Sequence, residues 1–334
     1  MTEPTIQSTK RFAKNAARLS AALLAATLFF HIATTAAHAQ NTQSAAAYAV
    51  MDDASGHVLL GSNAEKKLQV GSLTKIATAC VVLDWLELTK QNVDEMAVVP
   101  PVAATTGGLN AIGFQPGDSV TLRDLLYAAL LQSDNIAALT LANHVGEHLP
   151  PNPNAKKMTA VDRFVAQMNA LARRLRMTNT LFVNPHGIDS NERKLPFSTA
   201  SDMARLTRYA ENKSQFRFYV SQKDRKITVQ HADGTQSDYL LQNTNLLLGT
   251  DTIDGVKTGT TRRAGECVII SAARAPESIQ HGENNFTITP RRLIVVVLGS
   301  SARFDTALQL LRSGWDAFDR WTTAGKPLSK NEAL

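Results

Sequence analysis

The pattern of apolar and polar positions along the chain predicts an N-terminal β-hairpin followed by a buried helix. Residues 47–51 and 57–60 have the extended, apolar character of strands, and residues 53–56 between them, which include Gly56, form a turn. Residues 72–88 place apolar side chains on nearly every face of a helix. Because a helix that is apolar most of the way round needs protein on all sides, we expect it to lie in the centre of the fold.

The rest of the chain divides into a helical section and a strand-rich section. Thr121 or Ser119 is placed to cap the first helix of the helical section. After Arg225 the chain contains short runs rich in β-branched residues, and it closes with an amphipathic helix. The predicted helices cover residues 122–145, 159–176, 201–210 and 303–321, and the predicted strands cover residues 227–229, 267–270 and 293–298.

The order of these elements predicts an α+β fold within the broad α/β class. A hairpin near one chain end and strands near the other combine into one antiparallel sheet when the intervening helices form a separate lobe. We therefore predict an antiparallel sheet that is built from both chain ends and flanked by helices. The helical lobe is inserted at about residues 76–215.

The N-terminus has the order of a secretory signal. Four basic residues, the last of which is Arg18, precede a nearly uncharged stretch, and Ala37 and Ala39 are the small residues that a signal peptidase reads. His31 interrupts the apolar stretch, which is short for a membrane span, so we favour cleavage and export over an uncleaved anchor. The predicted divisions are a signal peptide at 1–39, a flexible lead-in at 40–45, one folded domain at 46–321 and a polar tail at 322–334.

Composition and charge narrow the classes of function. The chain is 44% hydrophobic and 19% charged, which is typical of a globular protein, and its formal net charge is +6. Loss of residues 1–39 removes four positive charges and one negative charge, which lowers the net charge to +3. This small positive net charge does not indicate a nucleic-acid partner. An oxidising compartment would let Cys80 and Cys267 pair, but we favour two buried apolar residues.

The first of three motifs that carry candidate chemistry is the pair Ser72 and Lys75. The two residues stand three positions apart at the start of the buried helix, so their side chains lie on one face of it. A serine hydroxyl is a weak nucleophile until a base removes its proton, and a lysine in a dry site beside other cations has a lowered pKa and can be that base. This pair predicts nucleophilic catalysis by Ser72.

The other two motifs supply polar walls for a substrate. Ser133 is suited to relay a proton to a leaving amine, and Asn135 is suited to hold the substrate backbone and the catalytic ammonium. Lys257 and Thr258 follow a turn and open a strand, whose edge can pair with an extended peptide. Gly259 allows the substrate to approach the backbone closely.

The order of these motifs, which are separated by 61 and 124 residues, resembles the signature of penicillin-binding proteins and class A β-lactamases. More of the chain is similar to the D-alanyl-D-alanine carboxypeptidase family, the low-molecular-mass penicillin-binding proteins. The resemblance covers roughly residues 46–318. The similar segments are residues 71–79, 116–118, 123–127, 184–187, 243–245, 254–261 and 264–265.

The resemblance implies a penicillin-recognition fold and a serine D,D-peptidase that removes the terminal D-alanine from peptidoglycan stem peptides in the periplasm or cell envelope. It implies an acyl-enzyme on Ser72, β-lactams as covalent inhibitors, and no cofactor. It also implies an oxyanion hole from the backbone N–H groups of Ser72 and Thr260. Arg303 would bind the terminal carboxylate, with a surface role left open. The implied catalytic residues are Ser72, Lys75 and Ser133, and the implied substrate-binding residues are Asn135, Lys257, Thr258, Gly259, Thr260 and Arg303.

Three other functions stay open. Family members without a C-terminal β-rich domain and anchoring helix, the form that we expect here, are often D,D-endopeptidases that cut cross-links. The tail at 322–334 contains Pro327, so we expect no stable membrane anchor. A class A β-lactamase needs a Glu-x-x-Leu-Asn loop, and the closest segment, residues 192–196, ends in proline. A non-catalytic sensor of β-lactams or wall fragments is disfavoured by the intact motifs.

Two histidine motifs outside this set have structural interpretations. His144 and His148 match the H-x-x-E-H zinc pattern. Gly146 and Pro150 indicate a fraying helix end, however, and no third ligand is evident, so we predict no metal site. His186 lies in a loop, and because Ser–Lys chemistry does not need it as a base, we expect it to make structural hydrogen bonds.

Overall fold

Residues 45–150, 158–189, 194–282 and 285–326 are described by the computed structural model of the protein. The predicted signal peptide, most of the lead-in and most of the polar tail lie outside the described residues, as do Glu192 and Arg193 of the segment that was compared with the β-lactamase loop. Within the described ranges, no helix has the length and apolar character that crossing a membrane requires.

The described residues form nine strands and seven α-helices. The strands are β1 (Ala45–Asp52), β2 (Val58–Ser62), β3 (Met96–Val98), β4 (Ser119–Thr121), β5 (Asp224–Gln230), β6 (Gln236–Gln242), β7 (Ile253–Thr261), β8 (Gly265–Gly282) and β9 (Asn285–Ser300). The helices are α1 (Lys75–Thr89), α2 (Leu122–Leu130), α3 (Asn135–His148), α4 (Ala160–Arg174), α5 (Ala200–Glu211), α6 (Ser214–Val220) and α7 (Arg303–Thr323). Two 3-10 turns cover Gly71–Thr74 and Pro101–Thr105.

The main sheet joins the two ends of the folded chain. Its five antiparallel strands follow the order β2-β1-β9-β8-β7. The hairpin β1–β2 and the pairing of β1 with β9 confirm the predicted hairpin and the predicted sheet from both chain ends. Helix α7 covers one face of this sheet, and α5 lies against the other.

Strand β9 shows why the central strands have continuous apolar runs. Successive side chains of a strand point to opposite faces, so a strand that is covered on both faces needs an apolar residue at every position. Alternate residues of β9 join two different cores, one under α7 and one that continues into the helical lobe. The first core receives Leu293, Val295 and Val297, and the second receives Ile294, Val296 and Leu298.

Helix α1 lies at the centre of the helical lobe, as its apolar surface predicts. Eleven of its fifteen residues are buried, and it packs against each helix from α2 to α6. Cys80 of α1 and Cys267 of β8 are both buried and carry free thiols, which confirms the interpretation of the two cysteines as buried residues that do not pair.

Four details of the predicted elements are wrong. The turn predicted before Lys257 lies within β7, which begins at Ile253, so Lys257 and Thr258 do not open the strand. The helix predicted at 122–145 is two helices, because Ser133 has a φ of 66° that a helix does not tolerate, and Asp134 then caps α3. The strand predicted at 227–229 belongs to a second sheet, with the order β3-β4-β5-β6. The first turn of the helix predicted at 72–88 is a 3-10 turn. Strand pairing depends on contacts between distant segments, which short apolar runs do not specify.

Candidate active site

Ser72 lies at the entrance to α1, in the 3-10 turn Gly71–Thr74. Strand β7 approaches this turn closely through Gly259. A Cβ atom on Gly259 would lie 2.8 Å from the carbonyl oxygen of Val70 and 3.1 Å from the backbone nitrogen of Leu73. The sequence suggested that Gly259 makes room for the substrate, but the close approach that the structure describes is that of the serine turn.

Among the described residues, the amine of Lys75 has three hydrogen-bond partners, and two of them can only accept. Its Nζ atom is 3.0 Å from Ser72 Oγ, 2.7 Å from Asn135 Oδ1 and 2.8 Å from the carbonyl oxygen of His186. A neutral amine has two hydrogens and one lone pair. When the hydrogens are donated to the amide and carbonyl oxygens, the lone pair faces the hydroxyl of Ser72. This is the arrangement that a base requires.

The surroundings of Lys75 favour the neutral amine. The side chain is completely buried. Burial lowers the pKa of Lys75 to about 7, and the nearby carboxyl group of Asp134 opposes this effect. A substantial fraction of the amine is therefore unprotonated at neutral pH, where it can accept the serine proton.

The break between α2 and α3 places the second motif beside Lys75. Asp134 caps α3 by accepting a hydrogen bond from the backbone nitrogen of Ala137 (2.9 Å), and Asn135 begins the helix with its side chain on the lysine. Ser133 is buried at the turn itself. Its hydroxyl is not among the three groups that hydrogen-bond Lys75 in the described part of the chain.

Strand β7 forms the opposite wall and brings a second buried lysine. Lys257 is 1% exposed, and its Nζ atom has no hydrogen-bond partner among the described residues. Burial, and then the charges of Lys75 and Arg303, hold the pKa of Lys257 well below its ordinary value. An unpaired buried amine is costly, and an entering carboxylate would favour its charged form. This wall is therefore suited to an anionic ligand.

Arg303 extends the cationic wall. It is the first residue of α7, and its Nη1 atom donates to Thr260 Oγ1 over 2.7 Å. Its Nε atom is buried and, within the described ranges, has no hydrogen-bond partner. The guanidinium thus retains a donor for a carboxylate.

The backbone nitrogen of Thr260 lies close to the serine turn. A Cβ atom on Gly71 would lie 3.3 Å from the backbone nitrogen of Thr260. The backbone nitrogens of Ser72 and Thr260 therefore belong to two neighbouring segments, the serine turn and β7. The oxyanion hole formed by these two N–H groups stays a prediction.

Two contributors to the site were missed from the sequence. The carbonyl oxygen of His186 binds Lys75, and the hydroxyl of Thr244 lies 2.7 Å from that of Thr258. A backbone carbonyl has no sequence signature, and Thr244 precedes β7 in a loop. The ring of His186 accepts a hydrogen bond from the backbone nitrogen of Ile188 (3.2 Å), and burial, followed by Lys75, lowers its pKa to about 3. His186 therefore has the structural role that we expected.

The histidine pair at the end of α3 has a neighbour that the sequence did not reveal. The helix is intact as far as His148. A carboxylate oxygen of Glu95 and ring nitrogens of His144 and His148 lie within 4.8 Å of one another. The expectation that no third ligand is available is therefore wrong, because Glu95 comes from the segment before β3 and meets the pair only in the folded chain.

Comparison with known proteins identifies relatives of this chain. The chain matches the family described as D-alanyl-D-alanine carboxypeptidase over residues 33–281. The D-alanyl-D-alanine carboxypeptidase DacC of Escherichia coli (strain K12) is 33% identical over 286 residues, which are 83% of this chain and 63% of the relative. A D-alanyl-D-alanine endopeptidase of Pseudomonas aeruginosa is 31% identical over 225 residues, which are 66% of this chain and 64% of the relative. The chain thus spans somewhat less than two thirds of the length of these relatives.

Solved structures share the fold. The DD-transpeptidase of Streptomyces K15 has a TM-score of 0.67 and 27% identity, with 82% of this chain and 97% of that chain covered. Penicillin-Binding Protein D2 from Listeria monocytogenes, solved in an ampicillin-bound form, has a TM-score of 0.61 and 29% identity, with 81% and 97% covered. These likenesses confirm the predicted penicillin-recognition fold. Together with the family match, which covers most of the sequence, they show that the chain belongs to the D-alanyl-D-alanine carboxypeptidase family.

Proposed function

We propose that the chain is a serine-type D-alanyl-D-alanine carboxypeptidase that removes the terminal D-alanine from peptidoglycan stem peptides. The observation that carries this proposal is the buried amine of Lys75, which lies 3.0 Å from Ser72 Oγ while its other two partners are oxygen acceptors. Membership of the family and the names of the relatives support the same activity.

The first half of the proposed reaction acylates Ser72. The terminal carboxylate of the peptide binds Lys257 and Arg303, and the penultimate carbonyl oxygen lies between the N–H groups of Ser72 and Thr260. Lys75 removes the hydroxyl proton while Oγ attacks the carbonyl carbon, which gives a tetrahedral oxyanion. Arg303, together with Lys257 once the bound carboxylate favours its charged form, would thus select a substrate with a free C-terminus.

The second half releases D-alanine and then water cleaves the ester. The C–N bond breaks as a proton passes from the Lys75 ammonium, through the hydroxyl of Ser133, to the leaving amine. Lys75 is then neutral again and can remove a proton from water, whose oxygen attacks the acyl carbon. The ester bond breaks, Ser72 regains its proton, and the shortened peptide leaves.

The same serine is the proposed target of β-lactams. A β-lactam carries a strained amide carbonyl and a carboxylate, which resemble the penultimate carbonyl and the terminal carboxylate of the peptide. Attack by Ser72 would open the ring and form an ester, and the released amine would stay attached to the acyl group. The ampicillin-bound relative supports this proposal. We expect the ester to be long-lived because residues 192–196 lack the asparagine of the deacylating loop of class A β-lactamases.

Muropeptide analysis tests the proposed activity. Purified, cross-linked peptidoglycan is incubated with the protein, and the products are followed by mass spectrometry. Loss of one D-alanine from pentapeptides, with dimers unchanged, is the expected result. Ser72→Ala should abolish it, and the exposed control Ser214→Ala should not. If neither the pentapeptides nor the dimers change, the proposal of a D,D-peptidase activity is wrong.

A D,D-endopeptidase is the second candidate, and the named relative from Pseudomonas aeruginosa favours it. The two activities share one acyl-enzyme and differ in what the leaving amine carries. Conversion of dimers to monomers in the same experiment would identify the endopeptidase.

We propose that the protein acts in the periplasm or cell envelope, where its substrate lies, and that it contributes to cell-wall biogenesis and cell shape. The basic and apolar order of residues 10–33 and the pair Ala37 and Ala39 support export with cleavage before Gln40. The mass of the protein recovered from the cell envelope tests the cleavage site. A mass that retains residues 1–39 would contradict cleavage.

A further inference from the structure

A cluster of three side chains that could bind a metal ion lies at the end of α3 that is remote from Ser72. It consists of Glu95, His144 and His148. Helix α3 begins at Asn135, which contacts Lys75, and it ends at His148. With a rise of about 1.5 Å per residue, these two ends are roughly 20 Å apart. Glu95, which directly precedes β3, meets His144 and His148 at the far end. The cluster therefore lies apart from the site that holds Ser72.

The spacing of the ligand atoms suits a metal ion. Bonds of about 2.0–2.2 Å to nitrogen and oxygen, set at a tetrahedral angle, separate the two ligand atoms by about 3.4 Å. His144 Nε2 and Glu95 Oε1 are 3.4 Å apart. All three ligand atoms lie within 4.8 Å of one another, which is wider than this separation, so His148, which is exposed, would have to move closer to complete the set.

The nitrogen of His144 is buried without a hydrogen bond. His144 is 8% exposed, and its Nε2 atom has no hydrogen-bond partner in the part of the chain that the structure describes. A buried polar atom of this kind is uncommon and is often explained by an ion or a water molecule. The nearest charged group is the carboxylate of Glu95, whose Oε1 atom lies 3.4 Å from His144 Nε2 and which is itself a group that can bind a metal ion.

The surroundings hold the rings in place. Nδ1 of His148 lies 2.8 Å from the carbonyl oxygen of His144 and donates to it, which leaves the lone pair on Nε2. The ring of Trp85 lies against both imidazoles, with centroid distances of 5.9 Å and 5.5 Å. Glu147, the glutamate of the H-x-x-E-H pattern, instead accepts a hydrogen bond from Asn143. Glu95 thus supplies the carboxylate from a different segment.

We propose that Glu95, His144 and His148 bind a divalent transition metal ion, of which Zn²⁺ suits the ligands best. Two imidazoles and one carboxylate are a known zinc set, and water would be the fourth ligand. The imidazoles exclude Mg²⁺ and Ca²⁺, which prefer oxygen ligands. The ion links the segment before β3 to the last turn of α3 and so stabilises the helical lobe, without taking part in the chemistry of Ser72.

Titration of the metal-free, untagged full chain with Zn²⁺ alone tests this proposal. Calorimetry should find one strong site per chain, and Zn²⁺ should raise the Tm of the protein. Loss of a group that only hydrogen-bonds to a metal ligand weakens metal binding by roughly 10–100-fold. Glu95→Gln and His148→Gln should each weaken Zn²⁺ binding by more than this, and both variants should lose the Tm increase. His281→Gln, which replaces another exposed histidine, should bind like the native chain.

The absorption of bound Co²⁺ and a competition with Mg²⁺ complete the experiment. A tetrahedral visible spectrum in the native chain, absent from both ligand variants although their circular dichroism is unchanged, would support the site. Equal Zn²⁺ affinity in Glu95→Gln, His148→Gln and the native chain would overturn the proposal. Displacement of Zn²⁺ by millimolar Mg²⁺, or no binding by the native chain, would overturn it as well.

Discussion

Lys75 and Lys257 are buried in the same site, but their partners give them different properties. Lys75 has three hydrogen-bond partners, one of which is the hydroxyl of Ser72. Lys257 has none among the described residues, and the charge of Lys75 contributes to its low pKa. Lys75 is therefore placed to exchange a proton with Ser72, whereas Lys257 is placed to gain its positive charge when an anion enters. One residue type thus suits both of the proposed roles, proton transfer and substrate binding.

The pH dependence of acylation tests the role of Lys75. Its neutral form is the base, and its pKa is about 7, so the rate of Ser72 acylation by a fluorescent penicillin should rise through about pH 7 and level off above it. Lys75→Arg should lose the reaction because a guanidinium keeps its proton. A native rate that stays constant between about pH 5 and pH 9 would contradict this role.

Arg303 should matter only for substrates with a free C-terminus. A charge-assisted hydrogen bond contributes about 1.5–3 kcal/mol, so Arg303→Leu should lower kcat/KM for a D-alanyl-D-alanine peptide by roughly 10–150-fold. The same peptide with a C-terminal amide should react equally with both proteins. Arg312→Ala, which removes an exposed arginine of the same helix, is the matched control. Equal losses with the acid and the amide would show that Arg303 acts through Thr260 instead.

At the scale of elements, the site depends on how closely β7 lies against the serine turn. The turn Gly71–Thr74 and β7 bring the backbone of Ser72 and Thr260 together, and the small size of Gly259 permits this contact. The contact joins the helical lobe to the edge of the main sheet, so it links two parts of the fold through one residue without a side chain.

Gly259→Ala should therefore reduce both stability and acylation. The added Cβ atom would lie 2.8 Å from a backbone oxygen that has little freedom to move. Overpacking of this kind costs about 1–3 kcal/mol of the free energy of unfolding, which urea denaturation measures. Gly61→Ala is the matched control, since a Cβ atom on that strand glycine comes no closer than 3.4 Å to any neighbour. Similar stability of the two variants would show that the turn adjusts freely.

At the scale of the whole molecule, the main sheet separates two cores. Helix α7 and alternate residues of the sheet form one of them, and the helical lobe contributes to the other. Trp315 of α7 is buried in the smaller core, with its ring against Phe318 and beneath the guanidinium of Arg274. The smaller core thus attaches the last helix to strands from both chain ends.

Trp315→Ala should destabilise the entire protein rather than α7 alone. Loss of a buried tryptophan costs about 3–5 kcal/mol of the free energy of unfolding. Arg320→Ala, which changes an exposed residue of the same helix, should stay within about 0.5 kcal/mol. Thermal unfolding followed by circular dichroism and by penicillin labelling should give one common transition in each protein. Labelling that survives after α7 has unfolded would contradict this coupling.

Much of the fold and the centre of the site could be predicted from local patterns. The continuous apolar surface of α1 and the apolar run of β9 reflect burial on all sides, which makes successive positions apolar and is therefore visible in the local sequence. Ser72 and Lys75 are three residues apart, so the helical geometry alone brings their side chains together. The motif around Asn135 was assigned to the same site by resemblance.

Only the tertiary structure decided which distant groups meet. The carbonyl oxygen of His186 lies 111 residues from Lys75 in the sequence, and Glu95 meets His144 from a separate segment. The second sheet and the break at Ser133 also depend on packing that has no local period. Local order along the chain therefore determined many of the elements and the pair of Ser72 with Lys75, the proposed nucleophile and base, because that contact spans one helical turn. The remaining partners of the base and the proposed metal ligands were decided by how the elements pack, since contacts between distant segments form only in the folded protein.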